Sequence, residues 1–181
     1  METWWRTVLW QQFGAAIDMI DNAMEACPGV LWRQPVWHDP SLPTPGVEFW
    51  YVAYHALFWL DLYLTGSAEG FAPPAPFGLE ELDPAGVLPP RPYTQEELRT
   101  YLAFARQKCH AATASLTDEK ARHFVDIPWA KGREFSYLEL QLYNMRHVQE
   151  HAAQLSLFLG ENAIHAGPSW IARAKSDTAN S

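Results

Sequence analysis

The stretch "NMRHVQEHAAQLSLFLG" (residues 144–160) places two histidines, His147 and His151, four positions apart in an otherwise apolar pattern of helical period. Side chains at this spacing lie on one face of an α-helix, one turn apart. Two such imidazoles can bind one metal ion, as in helical zinc sites, or can be buried histidines hydrogen-bonded to a carbonyl or to Glu150. The same face continues in both directions with Leu140, Tyr143, Gln154 and Phe158.

Start signals predict four long helices in the chain. Two of the starts are capping boxes, in which an N-cap hydroxyl is answered three residues later by a glutamate: Thr94 with Glu97, and Ser136 with Glu139. No stretch shows the sustained alternation of a β-strand, although "HFVDIPWA" (123–130) is compatible with a short extended piece. The helices are predicted over residues 4–26, 45–65, 95–116 and 137–159.

Other residues mark the remaining helix ends. Thr3 can cap the first helix, and the second opens with Thr44 as N-cap and Pro45 at the first helical position. Gly66 ends the second helix, and Gly160 lies past the predicted end of the fourth.

A long proline-rich segment separates the second and third helices. Residues 66–93 hold seven of the fourteen prolines and have no helical period. A connection of this length is either a functional lid or a packed crossover. Four long helices with one long crossover predict an all-α fold, an antiparallel four-helix bundle. We expect one domain over residues 1–175 and a disordered polar tail at 176–181.

Composition argues against two kinds of partner. The formal net charge is −8, and the thirteen basic residues form no stripe, so we expect no nucleic acid partner. The most apolar run, "VEFWYVAYHALFWLDLYL" (47–64), is interrupted by Glu48, His55 and Asp61 and has no basic flank. It therefore predicts a buried core helix and no membrane span.

The two cysteines, Cys27 and Cys109, fit neither a disulfide framework nor a zinc ribbon. The first residues run directly into an amphipathic pattern, so we expect no signal peptide. We therefore expect a cytoplasmic protein in which both thiols are reduced and structural.

A third histidine, His55, lies in the middle of the most apolar helix. This helix and the one with His147 and His151 are of similar length, and all three histidines lie near mid-helix. Adjacent helices would therefore bring them to one level. Three neutral imidazoles form a facial ligand set with one or more positions open for water or substrate. This pattern predicts a metal site.

The motifs "YHALFWL" (54–60) and "HVQEHAAQ" (147–154) resemble the DinB-like (DinB/YfiT) superfamily, with a histidine on the second helix and H-x3-H-x2-Q on the last. The resemblance covers roughly residues 3–160. It implies a DinB-like four-helix bundle in which the metal ligands are His55, His147 and His151. It also matches Gln154 to the glutamine one turn further on, and we expect Gln154 and Tyr143 to support the ligands.

The superfamily includes thiol S-transferases that act with bacillithiol or mycothiol, and mycothiol-dependent maleylpyruvate isomerases. The resemblance implies a divalent metal, Zn²⁺ or Ni²⁺, together with a low-molecular-weight thiol and a small-molecule electrophile. A thiol bound to a metal loses its proton, and the thiolate is the nucleophile. A homodimer is expected as well, because nine tryptophans exceed what a four-helix core easily buries.

Two other functions are compatible with the same residues. Many superfamily members have a histidine just before the last ligand, where this chain has Glu150. Glu150 could orient a metal-bound water or take its proton, and His147, Glu150 and His151 spell the H-x-x-E-H signature of one metalloprotease class. The second of these functions is that of a non-catalytic bundle that binds a metal or a small molecule.

We expect structural roles for the remaining histidines and for the aromatic residues near the predicted site. Surface or capping positions are predicted for His38, His110, His123 and His165. Core positions, rather than contacts with a substrate, are predicted for Trp50, Tyr54, Trp59 and Tyr143.

Overall fold

The computed structural model describes residues 4–41, 44–130, 133–168 and 170–176, and these ranges are mostly helical. The helices are α1 (Trp4–Ala26), α2 (Phe49–Thr65), α3 (Gln95–Ala114), α4 (Asp118–Arg122) and α5 (Tyr137–Glu161). Strands β1 (Phe124–Val125) and β2 (Phe135–Ser136) pair antiparallel. The predicted helical character is confirmed, and β1 lies in the stretch (123–130) that the sequence marked as compatible with an extended piece. Thr3 and residues 177–181 lie outside the described residues.

The four long helices surround a common apolar core. α1 and α2 each pack against both α3 and α5. α2 is apolar on almost every side and is buried along nearly its whole length, which places it inside the core. In the described ranges, no helix combines the length and the apolar character that crossing a bilayer requires.

Side chains of α5 bind the carbonyl end of α2. The last carbonyls of an α-helix have no partner inside the helix. The Tyr137 hydroxyl donates to the Leu64 carbonyl at 2.8 Å, and the Gln141 amide donates to the Tyr63 carbonyl at 2.7 Å. Both donors are buried, so these bonds replace water that cannot reach this helix end.

A third amide fixes the direction of the pair. Asn144, one turn further along α5 than Gln141, donates to the Leu60 carbonyl at 3.1 Å. From Tyr137 to Asn144 along α5, successive donors bind carbonyls that lie progressively nearer the start of α2. The two helices therefore run antiparallel, and the middle of α2 lies beside the second half of α5.

The start of α2 differs from the prediction. Residues Thr44–Val47 form a short 3-10 helix, and α2 begins at Phe49 with Glu48 as N-cap, not with Thr44. The backbone of this segment is engaged elsewhere: the Val36 amide donates to the Val47 carbonyl, and the Phe49 amide donates to the carbonyl of residue 34. This pairing holds Glu48 extended and delays the helix.

Two other helix ends were also predicted incorrectly. α3 stops at Ala114, two residues before the predicted end, where the Ser115 C-cap leads into the Thr117 N-cap of α4. α5 continues through Gly160 to Glu161, since Asn162 supplies the C-cap and donates from its side chain to the Phe158 carbonyl at 2.9 Å. The Thr94–Glu97 capping box and the Gly66 cap are confirmed.

The proline-rich segment packs on the core. Its Phe77 ring stacks on Tyr101 with centroids 4.4 Å apart and on Tyr54 with centroids 6.0 Å apart. Phe71 is buried in the same core. After Phe77 the chain forms a short 3-10 helix over Glu80–Leu82, which lies against α2 and reaches His55.

Both cysteines are free and buried, as predicted. Burial raises the pKa of the Cys27 thiol to about 12 and also raises the pKa of Cys109. The thiolate is the reactive form of cysteine, so both side chains are unreactive members of the core.

The segment after α5 returns along α1. The Ala174 amide donates to the Gln11 carbonyl at 2.8 Å, and the Lys175 amide donates to the Asp18 carboxylate at 2.6 Å. Arg106 of α3 binds the other oxygen of Asp18 at 2.9 Å. The segment is thereby attached to the face of α1 that also contacts α3.

Tyr137→Phe removes the bond to the end of α2 and keeps the ring, so we expect a loss of about 1–2 kcal/mol in the free energy of unfolding. Tyr54→Phe is the matched control, because the buried Tyr54 hydroxyl has no hydrogen-bond partner among the described residues. The control should be neutral or stabilising. Urea unfolding followed by circular dichroism measures both changes, and equal losses would contradict the assigned role of Tyr137.

Candidate metal centre

Three histidines meet between α2 and α5. The antiparallel pairing brings His55 beside His147 and His151, which lie one turn apart on α5. The Nε2 atom of His147 lies 3.3 Å from Nε2 of His55 and 3.1 Å from Nε2 of His151. One nitrogen from each ring lies within 4.8 Å of the other two, so the group is a candidate metal site.

Partners on the far side of two rings fix the position of their protons. Nδ1 of His55 lies 2.7 Å from the Glu81 carboxylate, and Nδ1 of His151 lies 2.8 Å from the Gln154 side-chain oxygen. Both partners accept hydrogen bonds, so both Nδ1 atoms carry the proton. The Nε2 atoms of His55 and His151 are then left with lone pairs that point towards His147.

His147 alone cannot satisfy both lone pairs. With a proton on Nε2 it donates to only one of the other two rings, and its buried Nδ1 has no hydrogen-bond partner in the described chain. A metal ion would accept all three Nε2 lone pairs at once. Two nitrogen ligands about 2.1 Å from an ion are separated by about 3.0 Å at a right angle and by about 3.4 Å at the tetrahedral angle. The observed separations of 3.1 and 3.3 Å fall within this range.

Burial keeps two of the rings in the form that binds metal. It lowers the pKa of His147 to about 2, with further lowering by the charges of His151 and His55. Burial and the charge of His55 lower the pKa of His151 to about 4. Only the neutral imidazole has a free lone pair, so both rings can act as ligands at neutral pH.

Glu81 is the carboxylate that the sequence did not single out. It comes from the proline-rich segment, its side chain is 5% exposed, and one of its oxygens also accepts from the Trp59 indole at 2.8 Å. Burial raises the pKa of Glu81, but the hydrogen bond and charge of His55 and the other donors outweigh burial and keep this pKa below its usual value. Glu81 is therefore ionised, and it orients His55 as carboxylates orient metal-binding histidines.

The three histidines line a cavity of about 550 Å³. Helices α2 and α5 form its floor, and residues 80–88 of the proline-rich segment form one side. Six aromatic side chains are among the lining residues: Tyr51, Trp59 and Tyr63 of α2, Tyr143 of α5, and Trp37 and Trp129 from outside the long helices. The volume is in the range of ligand pockets, and one side of the histidine cluster faces it.

The other residues predicted near the site have different positions. Gln154 contacts His151 as expected, and the Tyr143 ring is parallel to that of His147 with centroids 6.5 Å apart. Glu150 is exposed and is absent from the residues that line the cavity. The structure thus gives Glu150 no contact with this cavity, and its predicted catalytic role remains a prediction.

The predictions for histidines outside the site and for the aromatic residues have mixed outcomes. His38, His110, His123 and His165 are all exposed, as predicted. Trp50 and Tyr54 are core residues. Trp59 and Tyr143 are packed against the core but also line the cavity, so the core role predicted for these two is incomplete.

Sequence reasoning missed Glu81 and the aromatic residues that reach the cavity from loops, such as Trp37 and Trp129. Loop residues have no period that shows which way they face. The available signal was chemical: a metal-binding histidine in an apolar helix needs an acceptor for its second nitrogen. After Glu69, the carboxylates of "GLEELD" (78–83) are the next such groups in the sequence beyond α2.

The family model of the DinB superfamily matches residues 10–155 of the chain. These residues include all three histidines, Glu81 and Gln154. Comparison with curated proteins and comparison with solved structures each gave no match.

The lowered pKa values of His147 and His151 predict how the stability of the metal-free protein depends on pH. An unfolded histidine binds a proton below about pH 6.5, while these two remain neutral in the folded chain, so stability falls as the pH falls. From about pH 6.5 to about pH 5 we expect a loss of roughly 1–3 kcal/mol. Denaturant unfolding of the metal-free protein across this range measures the loss.

The double variant His147→Gln/His151→Gln should lose most of this pH dependence. His123→Gln/His165→Gln is the control, because both side chains are exposed. An equal pH dependence in the two double variants would contradict the assignment to the buried pair.

Proposed function

The chain belongs to the DinB superfamily, and on that premise we propose that it is a metal-dependent thiol S-transferase. It would join a low-molecular-weight thiol to a small electrophile. The observation that carries the proposal is the convergence of three imidazole Nε2 lone pairs on the wall of a cavity of about 550 Å³. That space accommodates a thiol beside an electrophile.

In this proposal His55, His147 and His151 would hold Zn²⁺ or Ni²⁺, which would supply the acidity that ionises a thiol. Glu81 and Gln154 keep two of the rings oriented. The aromatic walls bind the apolar part of the electrophile and exclude water from it. A sulfur–carbon bond forms, the leaving group departs with the electron pair of the broken bond, and the thiol proton passes to solvent.

Two alternatives have less support. A hydrolase needs a general base next to the metal-bound water, but Glu150 is exposed and Glu81 is already bound to His55 and Trp59. A non-catalytic metal site is normally closed by a fourth protein ligand. The cavity beside the three histidines supports an open site instead.

We further infer an antiparallel four-helix bundle with a proline-rich crossover, formed as one domain over residues 1–175 and located in the cytoplasm. The pairing of α1 and α2 with α3 and α5 supports the bundle. We also retain the homodimer as a proposal, supported by side chains such as Leu157 and Trp170, which are 65% and 74% exposed.

Metal content tests the ligand set. We expect one divalent ion per chain in protein purified without a metal-affinity tag, and loss of most of it in His55→Ala, His147→Ala or His151→Ala. Glu81→Gln should weaken metal affinity by about 10–100-fold, as loss of an orienting carboxylate does. His165→Ala, an exposed histidine, is the control. Elemental analysis and a competitive chelator titration measure both effects, and full metal content in His55→Ala would refute the triad.

Turnover tests the reaction. The assay combines metal-loaded protein with a panel of low-molecular-weight thiols and a chromogenic electrophile, beside a casein digest. We expect thiol-dependent product that disappears in His151→Ala. In Glu150→Gln it should fall by about tenfold or less, because Glu150 is not the general base in a thiol transferase, whereas loss of a general base costs ~10²–10⁴-fold.

Each competing function predicts a different result in this assay. Casein cleavage that is lost in Glu150→Gln would support the protease instead. Inactivity in both assays, with the metal retained, would support the non-catalytic protein.

A further inference from the structure

The cavity beside the histidines is acidic. In the described part of the chain, its lining contains three carboxylates, Glu80, Glu81 and Asp83, and neither lysine nor arginine. All three belong to the short 3-10 helix and its C-cap in the proline-rich segment. Three carboxylates also outweigh the two positive charges of a divalent ion, so the cavity stays negative when such an ion is bound.

Two of these carboxylates each have one oxygen without a donor in the described chain. One oxygen of Glu80 and one of Glu81 are buried and have no hydrogen-bond partner among the described residues. The Glu81 side chain is 5% exposed, so bulk water has little access to it. A buried carboxylate oxygen without a donor is costly, and a ligand that brings N–H groups would remove that cost.

The aromatic walls favour the same kind of ligand. Trp59 lines the cavity beside Glu81, to which its indole N–H donates. Trp37, Tyr51 and Trp129 lie around the same space. Aromatic faces attract organic cations and bind apolar groups, whereas they give a carboxylate no favourable contact.

We propose that the cavity selects ligands with a protonated amine on an apolar or aromatic frame, and that Glu80, Glu81 and Asp83 form the subsite for the amine. Because Glu81 also binds His55, the amine lies next to the three histidines. The inference rests on the proposed function only in placing substrate in this cavity, and it names the substrate class: cationic amines, with dicarboxylic acids disfavoured by the same charges.

A matched set of probes tests this selection without any turnover. The probes are 2-phenylethylamine, 2-phenylethanol and 3-phenylpropionate, which share a ring and a short chain but are cationic, neutral and anionic. Calorimetric or tryptophan-fluorescence titration of metal-loaded protein gives a Kd for each. We expect the amine to bind about tenfold or more tightly than the anion, with the alcohol between them. Equal or tighter binding of the anion, or no amine binding at millimolar concentration, would overturn the proposal.

Variants locate the subsite. Glu80→Gln and Asp83→Asn should each reduce amine affinity by about three- to tenfold while changing binding of the alcohol little. Asp83 is exposed, so Asp83→Asn is informative even where the Glu80 variant folds poorly. Glu69→Gln is the control, because Glu69 is exposed in the same segment and outside the cavity lining. Amine binding that responds to Glu69→Gln as much as to Asp83→Asn would reject the subsite.

Failure of this inference and failure of the proposed reaction are distinguishable. Selective amine binding without thiol transfer rejects the reaction and retains the subsite. Thiol transfer that is as efficient with 3-mercaptopropionate as with cysteamine, together with equal binding of the three phenyl probes, rejects the subsite and retains the reaction.

Discussion

The requirement that buried carbonyls find donors fixes the relation between α2 and α5. The carbonyl end of α2 is buried, and Tyr137 and Gln141 of α5 supply its donors. Any shift of one helix along the other would break these bonds and leave polar groups unpaired, at a cost comparable to a hydrogen bond for each group. The same register brings His55 beside His147 and His151. The geometry of the candidate site therefore depends on hydrogen bonds several residues away from it.

Low solvent access disfavours the charged form of both kinds of ionisable group in the site, but the two kinds end in different states. It disfavours the charged form of His147 and His151, which stay neutral with free lone pairs. Glu81 remains ionised because His55 and Trp59 donate to it. The combination of neutral ligands and one orienting carboxylate suits a divalent ion, and it leaves the centre less positive than three imidazoles alone would.

Local features of the sequence predicted the helices and assigned all three histidines to one site. The spacing of His147 and His151 and the position of His55 within an apolar helix are local signals, and so is the Thr94–Glu97 capping box. The start of α2 was missed because the extended backbone at Glu48 depends on pairing with residues 34–36, which are close in space but not adjacent in sequence. Glu81 was missed because it lies in a loop, and a loop has no period that shows where its side chains point.

The ligands and the walls of the site belong to different kinds of structure. The three histidines stand on α2 and α5, while Glu80, Asp83, Trp37 and Trp129 lie outside the long helices. Loops accept substitutions and insertions more readily than packed helices. Descendants of this chain could thus exchange one ligand for another through changes in these loops while the helices of the candidate site stay as they are. A common ancestor with this division would give rise to proteins that share a centre and differ in what they accept.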